Sequence, residues 1–133
     1  MQHKDRVIFT GRLERERLTL ALGGAMALAF VSYFEGFGIP VAEAMRCGTP
    51  VVAAEATSLP EVAGDAAHYC DPFNVSDIAR ALRDIWSDPV RREQLSTAGL
   101  KRSQRYTWDR AAEGLWASFE RMLHDAGLEV KKR

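Results

Sequence analysis

The segment from Glu35 to Glu43 carries the residues whose types and spacing could do chemistry in this chain. Gly36 and Gly38 allow a backbone to approach a ligand closely and to adopt φ values that other residues resist. Pro40 stands where a helix would start. Backbone N–H groups at the start of a helix form a natural site for phosphate or hydroxyl oxygens. The segment therefore predicts a site for a ligand that is rich in oxygen.

The two carboxylates of this segment add a second feature, with Glu35 in the loop and Glu43 inside the helix. A turning loop followed by one helical turn places them about 10 Å apart, comparable to the span from sugar to ribose in a nucleotide sugar. A carboxylate accepts two hydrogen bonds at once, which suits a vicinal diol. The alternative from spacing alone is two solvated glutamates. A glycosidase pair is disfavoured, since the sequence shows no opposing cleft.

Alternating strands and helices must position this segment. Short apolar runs predict four strands, at residues 7–10, 25–31, 50–54 and 66–70. Helical patterns between them end at Gly23-Gly24 and at Gly48. This alternation predicts the α/β class, with a partial Rossmann-like parallel sheet of about four strands flanked by helices. Doubly wound sheets usually have six strands, so the sheet is expected to be incomplete on its N-terminal side.

The C-terminal third of the chain is helical in pattern. Helices are predicted from Ser76-Asp77, from Asp88-Pro89 and from Thr107-Trp108. We therefore expect a single domain over 1–133, with the motif region at 7–72 and a helical tail at 76–126. The apolar residues of the last helix must fold onto the sheet or find a partner; they are Trp108, Leu115, Trp116, Phe119, Met122 and Leu123.

Composition excludes several classes of protein. Apolar residues make up 47% of the 133 residues and the formal net charge is zero, which excludes intrinsic disorder and gives no electrostatic footprint for nucleic acid. Two cysteines are too few for a disulfide scaffold and are expected to be buried free thiols. Residues 18–34 are uncharged but are better explained by a helix end, a glycine stop and a strand than by a membrane span. With a basic tail at 131–133, membrane association is expected to be peripheral at most.

The segment at residues 35–52 resembles the signature of the group 1 glycosyltransferases (family 4, GT-B fold). The similarity continues on both sides of the segment, and the further matching stretches are 9–12, 59–67 and 71–72. It ends near Leu123 and corresponds to the C-terminal, donor-binding domain of that family. The resemblance implies transfer of a hexose-type sugar from a UDP-, GDP- or ADP-linked donor to an acceptor, with retention and with no metal or other cofactor.

The resemblance also implies roles for individual residues. Glu35 is the expected catalytic residue and contacts donor-sugar hydroxyls, while the backbone of Gly36-Phe37-Gly38 meets sugar or phosphate. Glu43 is expected to hold the ribose diol. Gly11 and Arg12 are expected near the nucleobase; the alternative for Arg12 is an ordinary surface arginine. Ser58 belongs to a loop bordering the donor site, whose Glu61 is alternatively a cap of a short helix.

Two expected parts of such an enzyme would lie upstream of residue 1. One is the N-terminal domain that binds the acceptor, and the other is an Arg and Lys pair that neutralises the donor diphosphate. Stabilisation of a leaving group by cations is a large catalytic effect. We therefore expect the chain to be weak or inactive alone and to act with an N-terminal-domain partner or to self-associate. The alternative is a non-catalytic nucleotide-sugar-binding module. Cytoplasmic polysaccharide biosynthesis, at most peripheral to the inner membrane face, is a family-level expectation.

Overall fold

The computed structural model of the chain describes residues 3–128, so the basic tail at 131–133 lies outside the described residues. Helices and strands alternate as expected through the first half of the chain, and the rest is helical. The elements in chain order are a 3-10 turn (Lys4–Arg6), α1 (Arg15–Gly23), β1 (Leu28–Phe30), α2 (Ile39–Arg46), β2 (Val51–Ala54), α3 (Leu59–Ala63), a second 3-10 turn (Gly64–Ala66), β3 (Ala67–Cys70), α4 (Val75–Ser87), α5 (Pro89–Ser103) and α6 (Trp108–Asp125).

The sheet is parallel and has the strand order β1-β2-β3. Val51 of β2 pairs with Leu28 on one side and with Ala67 on the other. All four residues of β2 are buried, as expected for a central parallel strand covered on both faces. The predicted α/β class is confirmed, but the described residues form three strands rather than four.

The missing strand is the one predicted at residues 7–10, and that prediction is wrong. Residues 7–10 form no strand, and the exposed fractions of Ile8 and Phe9 are 84% and 93%. β-branched and aromatic residues favour a strand through packing against neighbours, not through the backbone alone. In the described part of the chain, β1 pairs only with β2, so residues 7–10 have neither a ladder partner nor a covering helix.

The core lies on both faces of the sheet. One face packs against α2 and α3, and its largest buried side chains are Val41, Met45 and Leu59. The other face packs Val52 against Ile85 of α4 and Leu95 of α5, among other residues. Because successive strand residues point to opposite faces, the single strand β2 supplies both halves of the core.

The helical tail begins with a cap that differs from the predicted one. Asn74, rather than Ser76-Asp77, caps α4, and its side chain accepts hydrogen bonds from the backbone N–H groups of Ser76 and Asp77. The helices α5 and α6 begin where they were predicted, and the side chains of Asp88 and Thr107 cap them. No residue of α6 is buried, so its apolar side chains do not fold onto the sheet.

The uncharged stretch at 18–34 divides into the end of α1, a glycine stop and β1, as predicted. Across residues 3–128, no helix combines the length and the hydropathy needed to cross a bilayer. Both cysteines are free thiols, Cys70 buried and Cys47 only half-buried. Burial raises the pKa of the Cys70 thiol.

Candidate functional site

The loops that follow β1 and β2 meet at one edge of the sheet, because the carboxyl ends of neighbouring parallel strands lie side by side. Two hydroxyl groups join these loops. The backbone N–H of Glu35 donates to Oγ1 of Thr57 at 3.1 Å, and Oγ of Ser58 donates to the backbone carbonyl of Glu35 at 3.0 Å. The structure therefore brings two of the predicted site residues, Glu35 and Ser58, into direct contact.

The start of α2 fixes the glycine-rich part of the site. Gly38 precedes the helix with a φ of +93°, and its carbonyl accepts a hydrogen bond from the N–H of Val41 at 3.0 Å. A Cβ at Gly38 would lie 2.6 Å from Cδ2 of the fully buried Leu59. A Cβ at Gly36 would meet nothing within 4 Å. Gly38 is therefore required by both conformation and space, whereas Gly36 leaves an open backbone at the surface.

Glu43 lies on the exposed face of α2, and the opposite face of that helix packs Val41, Ala44 and Met45 into the core. Glu35 is half-buried at the loop. The two carboxylates thus stand on the same β1–α2 segment, one anchored through its backbone and one directed to solvent by helix packing. Such oxygens can accept hydrogen bonds from ligand hydroxyls.

Phe37 receives support from a distant part of the chain that the sequence did not reveal. Its ring meets the ring of Tyr106 edge to face, with centroids 5.4 Å apart and planes at 88°. The hydroxyl of Tyr106 donates to the carbonyl of Val62 at 2.7 Å, and the guanidinium of Arg102 donates to the carbonyls of Val62 and Glu61. Tyr106 thereby joins Phe37 to the end of α3, and Arg102 joins the same end of α3 to α5. No local pattern marks either residue, because both act across long sequence separations.

The loop after β3 closes the same edge of the sheet. The rings of Phe73 and Tyr33 lie 5.9 Å apart. Asp77 of α4 accepts the backbone N–H of Asp71 at 2.8 Å and also pairs with Arg80 at 2.7 Å. The backbone hydrogen bond first, and the arginine second, lower the pKa of Asp77. This loop is therefore held by an ionised aspartate.

Gly11 and Arg12 are the two predicted site residues that precede α1. Both are exposed in the segment before α1, and Gly11 has a φ of +63°. The hydrogen bond at Gly11 is local, from Oγ1 of Thr10 to its carbonyl at 3.1 Å. Among the described residues 3–128, no hydrogen bond joins Gly11 or Arg12 to the Glu35 loop, and their nucleobase role stays a prediction.

Two shallow clefts lie elsewhere, along α5. The more polar one, of about 370 Å³, is lined by several cations that include Lys101, Arg105 and Arg110. The other, of about 410 Å³, is lined by Val90 and Thr97 among others. Neither includes a residue of the Glu35 loop, whose surface is open. Within residues 3–128, no three His, Cys, Asp or Glu residues are grouped so as to hold a metal ion. Metal independence stays a prediction.

Comparison with known proteins decides the family. The sequence profile of the family described as "Glycosyl transferases group 1" matches residues 1–102. The chain belongs to the group 1 glycosyltransferases. This glycosyltransferase chain is 37% identical to O-antigen chain mannosyltransferase B of Escherichia coli over 101 residues, which is 76% of the chain and 26% of that protein. It is 34% identical over 124 residues to D-inositol 3-phosphate glycosyltransferase of Mycolicibacterium smegmatis, covering 91% of the chain and 28% of that protein.

A solved structure agrees with these relatives. Sucrose-phosphate synthase from Thermosynechococcus elongatus superposes with a TM-score of 0.82 at 28% identity, over 93% of this chain and 32% of that one. The glycosyltransferase chain therefore spans about a quarter to a third of the length of these proteins. The predicted family and the predicted α/β fold are both confirmed.

Proposed function

We propose that this glycosyltransferase chain binds the donor of a retaining transfer, a nucleotide sugar carrying a hexose on UDP, GDP or ADP. The observation that carries the proposal is the Glu35–Glu43 segment at the carboxyl edge of a parallel sheet. Its backbone is fixed at Glu35 by two hydroxyls and at Gly38 by the start of a helix. Carboxyl edges of such sheets are where open α/β folds bind ligands.

The proposed roles follow the positions of the residues. Glu35 accepts hydrogen bonds from hydroxyls of the donor sugar. The exposed backbone N–H groups near Gly36 and Phe37 face sugar or phosphate oxygens, and Pro40 supplies none because it lacks an N–H. Glu43, on the solvent face of α2, accepts hydrogen bonds from the two ribose hydroxyls. Relatives named as mannosyltransferases support a hexose as the transferred sugar.

Transfer itself requires more than a donor site. A departing diphosphate gains negative charge, and cations preorganised around it are a large part of catalysis. We assign that cationic group and the acceptor site to an N-terminal-domain partner, since these two relatives are about three times as long as this chain. On this proposal the chain binds donor alone and transfers sugar only with that partner. The reaction retains the anomeric configuration and uses no metal.

Ligand-observed saturation-transfer NMR tests the proposal. The purified chain is mixed with UDP, GDP and ADP and with their glucose or mannose conjugates. We expect saturation to reach the ribose and base protons of one nucleotide. In Glu43→Gln the affinity for that nucleotide should fall at least tenfold and the saturation signal should disappear, because the variant lacks the charged acceptor for the diol. Glu113→Gln, an exposed glutamate of α6, is the matched control. Equal affinity of Glu43→Gln and wild type would reject the ribose role of Glu43. Absence of saturation transfer to every nucleotide tested would reject the donor site.

A further inference from the structure

Thr57 has a backbone conformation that residues of its type rarely adopt. Its φ is +47°, and it is the one non-glycine residue with a positive φ in the described residues 3–128. A β-branched residue in this left-handed region is an outlier, because its Cβ crowds the backbone. Such strain persists only where the surroundings hold it in place, and it clusters at functional sites.

Ser58, the next residue, forgoes a local contact that its position offers. It is the residue before α3, and Ser58 and Glu61 have the spacing of a capping box. A serine in this position commonly accepts a hydrogen bond from an N–H of the first helical turn. Here the side chain of Ser58 makes no cap hydrogen bond, and its hydroxyl donates to the carbonyl of Glu35 at 3.0 Å instead.

The positive φ of Thr57 and the missing cap hydrogen bond of Ser58 both occur where these side chains contact Glu35. The Thr57 hydroxyl accepts a hydrogen bond from the backbone N–H of Glu35 at 3.1 Å, and the Ser58 hydroxyl donates one to the backbone carbonyl of Glu35. The two hydroxyls therefore fix the backbone of Glu35 on both sides of its Cα. We infer that Thr57 and Ser58 form a hydroxyl clamp in which Thr57 is a positioning residue. The clamp sets the direction of the Glu35 carboxylate toward the donor sugar. This inference rests on the proposed function.

Three variants of Thr57 separate the hydroxyl from the backbone strain. Thr57→Val keeps the branched shape without the hydroxyl, while Thr57→Gly removes the hydroxyl and relieves the strain. Thr57→Ser keeps the hydroxyl with less crowding and should restore wild-type behaviour. Thr97→Val, an exposed threonine of α5, is the control for the loss of a hydroxyl far from the loop. Should Thr57→Val fail to fold, Thr57→Gly still tests the clamp, since its melting temperature should hold or rise.

The first measurement needs no ligand. Amide hydrogen exchange of Glu35, followed by NMR on the full chain, should become about five- to tenfold faster in Thr57→Val and Thr57→Gly, as expected for one lost hydrogen bond. It should be unchanged in Thr57→Ser and in Thr97→Val. Unchanged exchange in both hydroxyl-free variants would overturn the clamp.

The second measurement asks whether the clamp acts on the donor. With GDP-mannose, UDP-glucose and ADP-glucose as probes, Thr57→Val and Thr57→Gly should bind the accepted donor about five- to tenfold more weakly than wild type. In a Glu35→Ala background the same Thr57 changes should alter affinity less than twofold, because the carboxylate they direct is gone. Faster exchange with unaltered affinity would overturn the positioning role. If the wild type binds none of the probes, the proposed function fails, and the exchange data still decide whether the clamp exists.

Discussion

The apolar residues of this chain fall into two regions with opposite fates. In the sheet region, Val52 and Leu59 are fully buried, whereas Phe9 before α1 is 93% exposed and Trp108 of α6 is 90% exposed. Yet α6 forms a full helix, while residues 7–10 form no strand. A helix satisfies its own backbone hydrogen bonds, but a strand needs a neighbour to do so. Local pattern is therefore enough to predict a helix without cover, and it is not enough to predict a strand.

The largest expected effect comes from truncating a fully buried side chain of the sheet region. Leu59→Ala should lower the free energy of unfolding by about 2–5 kcal/mol, because it leaves a cavity beneath Gly38 and between α2 and α3. Leu115→Ala is the matched control on α6, where the side chain is 58% exposed, and it should change stability by less than about 0.5 kcal/mol. Urea unfolding of both variants makes the measurement. A large loss for Leu115→Ala would mean that α6 is covered in solution, for example by self-association.

A second comparison contrasts two glycines of one loop. Gly38→Ala should cost about 2–4 kcal/mol, since its Cβ meets Leu59 and its φ is +93°. Gly36→Ala should stay within about 1 kcal/mol of wild type, because a Cβ there meets nothing within 4 Å. Thermal unfolding followed by circular dichroism distinguishes them. Equal losses would show that the loop is not held by packing against Leu59.

The sequence predicted the features that depend on local residues and did not predict those that need a distant partner. The glycine-rich turn and the starts of three helices, α2 near Pro40, α5 at Asp88 and α6 at Thr107, depend on neighbours within a few residues. All of them are present in the structure. The strand at residues 7–10 depended on a partner, and that prediction failed.

The candidate site shows the same limit. The residue types from Glu35 to Glu43 could be recognised from sequence, since they occupy one short segment. The contacts that hold them could not: Thr57 and Ser58 reach Glu35 from the next strand end, and Tyr106 reaches Phe37 from beyond α5. One local signal was present but pointed elsewhere, because the Ser58–Glu61 spacing predicts a helix cap that does not form.

The smallest expected effect on stability comes from the phenol of Tyr69, which lies on β3 in the sheet region. The hydroxyl of Tyr69 donates to the carbonyl of Gly64 at 2.7 Å, and burial raises its pKa to about 12 despite the nearby Arg102. The unfolded chain releases this proton near the ordinary value of 10.0, so ionisation favours unfolding between pH 10 and about 12. The free energy of unfolding should therefore fall as the pH rises through that window, and this contribution should be fully present below pH 10.

Tyr69→Phe isolates that contribution, because phenylalanine cannot ionise. At pH 8 the variant should be about 1 kcal/mol less stable than wild type, for want of the hydrogen bond to Gly64. Its stability should fall less steeply than that of wild type from pH 10 upward, so the advantage of wild type should shrink and then disappear, as urea titrations at pH 8, 10 and 11.5 would show. Parallel curves would mean that Tyr69 is as solvated as in the unfolded chain. The sheet region would then be more open to solvent around β3 than the complete burial of β2 indicates.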